Sequence, residues 1–236
     1  MGRPCACCGG CHNPEGDDNV CWNVYREPRN ERYLFQDFPD DSFLYPNEPD
    51  DLKKNCGCVV VDYQHTACPS HGDGYQYFNP SKVKKFLGGG GIYITNCEWD
   101  NGNQCRDGQE GGCDKDGAVF NDHMAAIGCS IRRDLPAAAT EKNYTSLGSP
   151  LFKDCTIRGD ATASLKNGVP LLSVGGRGGE ECYQGGTVCA GQKISKGTVI
   201  TFGDSNIRIS GPFRENMFDI LKKGKNPLVF SQQPLP

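Results

Sequence analysis

The chain has 236 residues, 36% of them hydrophobic, with 31 glycines, 15 prolines and a mean hydropathy of −0.56. That is enough for one substantial, loop-rich domain with an appendage. A net charge of −4, with no basic stripe, excludes a protein that grips nucleic acid through its phosphates, and no apolar run approaches the roughly 20 residues a membrane-spanning helix needs.

The first residues, Met1-Gly2-Arg3-Pro4-Cys5, lack the apolar core of a secretory signal and fit an acylation signal poorly, so a soluble chain is expected. Fifteen cysteines are unusual for such a chain, and five fall at Cys5, Cys7, Cys8, Cys11 and Cys21. Cys5, Cys8, Cys11 and Cys21 supply enough soft ligands for one tetrahedral zinc, and Cys8-x-x-Cys11 has the spacing of a zinc knuckle. His12 and the Cys56/Cys58 pair are further donors. Zinc, disulfides and free thiols all remain open for this cluster. Residues 33–46 form an acidic, aromatic, proline-punctuated stretch with no persistent period, containing Tyr33, Phe35, Phe38, Phe43 and Tyr45. Such a stretch is expected to lie as an extended arm against the main domain or a neighbouring subunit, which makes residues 1–55 an arm distinct from the rest of the chain.

From residue 56 a strand–helix rhythm begins. Cys58–Tyr63 reads as a central strand, and Pro80–Leu87 as a helix with Val83, Phe86 and Leu87 on one face, stopped by four glycines. Gly91–Asn96 is the next strand. An acidic, glycine-rich excursion, residues 98–117, precedes a helix over Ala118–Ile127 with Phe120, Met124 and Ile127 inward and Gly128 as its stop. Cys129–Arg132 reads as a short strand. Residues 133–168 read as loop-rich with a strand near Cys155–Arg158. Val169–Val174 and Val199–Phe202 are apolar strands separated by a glycine-rich loop or hairpin, residues 175–197, and Phe213–Lys223 is the closing helix. The Lys222-Lys223-Gly224-Lys225 cluster suits the negative end of that helix. The expected organisation is an arm over 1–55, an α/β domain over 56–225 with a small, mainly parallel sheet flanked by helices, and a proline-containing tail over 226–236.

The order of helix Val83–Leu87, glycines Gly88–Gly91, strand Ile92–Thr95, helix end Ala125-Ala126-Ile127-Gly128 and late strand Gly197–Phe202 with Gly203-Asp204-Ser205-Asn206 resembles class I glutamine-amidotransferase-like domains. The resemblance implies a flavodoxin-like fold of the kind met in proteins of environmental bacteria and tailed phages. Amidotransferases proper carry a Gly-x-Cys-x-Gly elbow, and this chain has none. Cys97, after the strand ending at Asn96, is the nearest substitute, with His123 as the only later histidine. Ser205 resembles the nucleophile of GDSL-type hydrolases but has no histidine after it. Asp62-x-x-His65 and Phe120-Asn121-Asp122 match that family's other blocks only in a permuted order. His65, Cys68 and His71 form an incomplete ligand set, and the acidic loops at Asp100–Asn103 and Asp114–Gly117 depart from the spaced calcium pattern.

Taken together, these features lead to the expectation of a non-catalytic structural protein of a tailed-phage virion, located in the particle, with other virion proteins or further copies of itself as partners. The alternative is a small hydrolase or amidotransferase relative using Ser205 or Cys97.

Overall fold

The computed structural model describes residues 22–25, 43–44, 52, 59–62, 77–97, 114–138, 142–159, 162–176, 185–204, 207–223 and 227–228. Among them are thirteen strands, three α-helices and a short 3-10 turn at Pro150–Phe152. The main sheet has eight strands: β1 (Trp22–Tyr25), β2 (Phe43–Leu44), β3 (Val59–Asp62), β4 (Ile92–Asn96), β7 (Thr145–Ser146), β10 (Val169–Gly175), β11 (Gly185–Ile194) and β12 (Gly197–Phe202). Their spatial order is β2-β1-β3-β4-β12-β11-β10-β7. A three-stranded sheet contains β13 (Arg208–Ser210), β8 (Thr156–Gly159) and β6 (Lys142–Asn143), and a pair joins β5 (Arg132–Ala138) to β9 (Thr162–Lys166).

The sheet is mixed, and this corrects the expectation of a flavodoxin-like, mainly parallel α/β fold. From β2 to β12 the neighbours run parallel, and from β12 through β11 and β10 to β7 they run antiparallel. Both smaller sheets are antiparallel. The reversal is made by a tight hairpin in the segment that reads from sequence as a glycine-rich loop or hairpin. Ile194 is paired with Gly197, so only Ser195 and Lys196 connect β11 to β12, and Ser195 takes the positive φ of 55° that such short loops demand. The resemblance to amidotransferase-like domains therefore fails at the level of sheet topology.

The expected helices are present. In α1 (Pro80–Gly88), Asn79 accepts a hydrogen bond from the Ser81 amide, Pro80 occupies the first turn, and Val83, Phe86 and Leu87 are buried. α2 (Asp114–Ala126) begins earlier than its apolar period implied and buries Phe120, His123 and Met124. α3 (Phe213–Lys222) buries Phe213, Met217 and Ile220 at helical spacing. The helices divide between two cores. One unites Val60, Tyr93 and Val199 of the sheet with the apolar faces of α1 and α2, together with Leu52. The other unites Val59, Val61, Ile92, Ile94, Ile200 and Phe202 with α3, the 3-10 turn and Ile157 and Ile209 of the small sheet. Alternation along each strand sends successive residues to opposite cores, which is why β3, β4 and β12 are buried throughout.

The loop-rich reading of residues 133–168 is also corrected, since β5 to β9 lie there. These strands are short and half exposed, so they lack the apolar run that marked β3, β4 and β12.

Gly203 sits at the end of β12, where a Cβ would lie 2.0 Å from the Ala163 carbonyl oxygen. Gly88 has open space and no positive φ. Gly203→Ala should therefore lower unfolding free energy by about 1–3 kcal/mol through overpacking against backbone. Gly88→Ala should be neutral or stabilising by about 0.4–1 kcal/mol. Urea unfolding of both variants beside the wild type checks the contrast.

Candidate functional site

In open sheets with parallel strands, ligands favour the crevice beyond the strands' carboxyl ends. Here those ends belong to β3, β4 and β12, and they carry Asp62, Thr95, Asn96, Cys97, Gly203 and Asp204, all buried. Register places Asp62, Thr95 and Thr201 in one row across the three strands.

Asp62 is the hub of this edge. Its Oδ2 accepts hydrogen bonds from the Phe78 amide at 2.9 Å and the Tyr93 hydroxyl at 2.7 Å, and its backbone carbonyl accepts one from Thr95 Oγ1 at 3.1 Å. The Tyr93 oxygen also lies 3.1 Å from His123 Nε2. Because the single phenol proton is directed to Asp62, Nε2 is assigned the imidazole proton and donates it to the phenol. Tyr77 stacks on His123 with ring centroids 4.7 Å apart, and its hydroxyl donates to the Asn96 carbonyl at 2.9 Å. Three aromatic side chains thus seal the edge on the α1/α2 side.

The protonation states are set by burial. His123 is 6% exposed, and desolvation lowers its pKa to about 4, so the ring is neutral at pH 7. Burial, and then the neighbouring Asp62 charge, hold the Tyr93 phenol protonated well above its ordinary range. The arrangement is a neutral imidazole and a neutral phenol tied to a buried carboxyl group, with no proton poised to move near pH 7.

Asp204, in the Gly-Asp-Ser-Asn loop, faces the other way. It shares the alternation of Phe202, on the α3 side, and its Oδ2 accepts from the Tyr144 hydroxyl at 3.0 Å. Gly203 is pinned by its backbone: its amide donates to Val188, and its carbonyl accepts from the Ala163 amide at 2.7 Å and Thr162 Oγ1 at 3.2 Å. The two carboxyl groups at this edge therefore project to opposite faces and cannot work as an acid–base pair.

Of the sequence candidates, Cys97 and His123 fall on the same side of the sheet. Cys97 lies in the α1/α2 core, 1% exposed, and its amide donates to Phe202. His123 has its Nε2 turned to Tyr93, not free to serve as a general base. Ser205 lies outside the described residues, as do Cys5, Cys8, Cys11 and Cys21, His12, Cys56, Cys58, His65, Cys68 and His71. Among the described residues no group of three or more His, Cys, Asp or Glu side chains is placed to hold a metal. The described cysteines Cys97, Cys129, Cys155 and Cys189 are free thiols. Burial pushes Cys129 and Cys155 up to about 11 and Cys189 higher still, away from thiolate reactivity. No described helix is long and apolar enough to cross a membrane.

In the sequence, Asp62 stands out only as part of a permuted hydrolase block, and Tyr77, Tyr93 and Tyr144 do not stand out at all. The signal available was polar: an aspartate closing an otherwise apolar strand, and a tyrosine inside another, need buried partners.

No family model matches the chain, and no curated protein matches it by sequence. Among solved structures, a β-galactosidase from Rahnella sp. R3 superposes at a TM-score of 0.44 and 14% identity, over 79% of this chain and 25% of that one. A β-galactosidase from Bacillus circulans sp. alkalophilus gives 0.45 and 14%, over 76% and 24%. The mmIFT52 N-terminal domain gives 0.40 and 11%, over 76% and 79%. The chain spans about a quarter of the length of these galactosidases. With every one of these scores below 0.5, neither fold membership nor activity passes from them to this protein.

The lowered His123 pKa has a defined consequence. The unfolded state binds the proton more tightly, near pH 6.5, than the folded state does, near pH 4. Stability from the neutral ring is thus complete above about pH 6.5, falls as pH drops through the window, and is lost below pH 4, by about 3 kcal/mol in all. Melting temperatures of wild type and His123→Gln between pH 4 and 7 should show a shallower pH dependence in the variant. Tyr93→Phe should cost about 2–4 kcal/mol at pH 7, because it strips a donor from a buried carboxyl group. Equal denaturation midpoints would sink that assignment.

Proposed function

We propose that this chain is a non-catalytic structural protein that works by contact with neighbouring subunits in an assembly. One observation carries the reading: the polar groups at the strand carboxyl ends are divided between opposite faces and consumed in buried ties to tyrosines. A hydrolase or amidotransferase needs a reachable nucleophile beside a free base. Cys97 is enclosed, His123 is neutral and engaged, and Asp204 is bonded away from both. The tailed-phage assignment was attached to the flavodoxin-like resemblance and loses that support with the mixed sheet, so the proposal is confined to the assembly role.

Two measurements test it. A fluorophosphonate and an iodoacetamide probe should give no site-specific labelling of the folded protein that Ser205→Ala or Cys97→Ala abolishes. Labelling lost in either variant would establish an activated nucleophile and overturn the reading. In addition, Thr201 is buried with a hydroxyl that has no partner among the described residues. In a scaffold, Thr201→Val should leave stability unchanged or raise it by about 1 kcal/mol, and a clear loss would point to a ligand at that hydroxyl.

A further inference from the structure

The small sheet β13-β8-β6 has two different faces. Its inner face places Ile157 opposite Ile209 and adds both to the α3-side core. Its outer face places Arg158 directly opposite Arg208, with Asn143 on the other side of Arg158. The next row on that face holds Thr156 opposite Ser210, and Thr145 follows Asn143 by alternation, since the Tyr144 amide continues the pairing by donating to Ile157 at 2.9 Å. All of these outer residues carry hydrogen-bonding side chains at exposed positions, and none is a carboxylate.

Two arginines as direct cross-strand partners have Cβ atoms only about 4.5–5.5 Å apart, and like charges so placed are destabilising. An anion between them reverses the sign of that term. Each guanidinium has five donors in a rigid fork, so contacts made within the chain leave donors for a further carboxylate. The flanking hydroxyls and the Asn143 amide suit an extended acidic segment, whose alternate side chains repeat every 6–7 Å or so along the strand rows. A long phosphodiester polymer fits less well, because the chain as a whole carries −4.

We infer that this arginine face is a docking surface for a second copy of the chain, through an acidic segment of that copy. Charge complementarity identifies the occupant: residues 33–51 contain Asp37, Asp40, Asp41, Glu48, Asp50 and Asp51 and no lysine or arginine. The inference rests on the assembly role proposed above and supplies its contact surface.

Sedimentation velocity across a concentration series in low salt tests it. Wild type should self-associate, and the association should weaken at least tenfold in 0.5 M NaCl and in Arg158→Glu/Arg208→Glu. The milder Arg158→Gln/Arg208→Gln pair, checked for an unchanged melting temperature, should weaken it as well. A synthetic peptide of residues 33–51 should compete with association, and its Asp→Asn, Glu→Gln counterpart should not. A wild type that stays monomeric, or an association unchanged by either arginine pair, overturns the inference. Probe labelling at Ser205 or Cys97 would instead strike the functional reading alone, so the two failures are distinct.

Discussion

The fold depends on β12 being paired along both edges and buried on both faces. It lies between parallel β4 and antiparallel β11, and each of its six residues is buried. Its ends tolerate no side chain where Gly197 and Gly203 sit: a Cβ on Gly197 would meet the Gly91 oxygen at 2.5 Å and Leu87 Cα at 2.7 Å. The strand is therefore the seam between a helix-covered parallel half and an antiparallel half. The α1 and α2 core and the α3 core can close on opposite faces only because this seam is held in register.

Two buried aspartates reinforce that seam from opposite sides. Asp62 gathers Phe78, Tyr93 and, through the phenol, His123, which fixes the entry to α1 and the inward face of α2 against the sheet. Asp204 gathers Tyr144 and so joins the end of β12 to the strand that connects the main and small sheets. Buried carboxyl groups are costly unless hydrogen-bonded, and phenols meet the need from within an apolar core. The same physics drains these residues of catalytic value: a neutral, enclosed imidazole and separated carboxyl groups hold a scaffold together. What such a scaffold offers to other molecules is its exterior, where the antiparallel strands display arginines and hydroxyls.

The legible parts of the sequence were those where one short stretch suffices. The apolar strands β3, β4, β10 and β12 and the helices α1 and α3 follow from runs and periods fixed by full burial and by glycine and proline stops. β11 was obscured because Gly185, Gly186 and Gly191 dilute its apolar pattern, and β5 to β9 because one exposed face leaves too few apolar residues. At the candidate site, Cys97, His123 and the Gly-Asp-Ser-Asn loop stood out by residue type. Their partners did not, because Asp62 and Tyr93 are 31 residues apart and Tyr144 and Asp204 are 60 apart.

Sequence by itself determined which segments are buried strands and helices, since burial on one or two faces writes a local period. It also determined that no amidotransferase elbow exists and that no histidine follows Ser205. Only the tertiary structure decided strand direction, because a two-residue hairpin at Ser195–Lys196 and a longer crossover leave similar apolar runs on either side. It likewise decided that Asp62 and Asp204 face opposite cores, since the side of a sheet that a residue faces depends on register with strands far away in the chain.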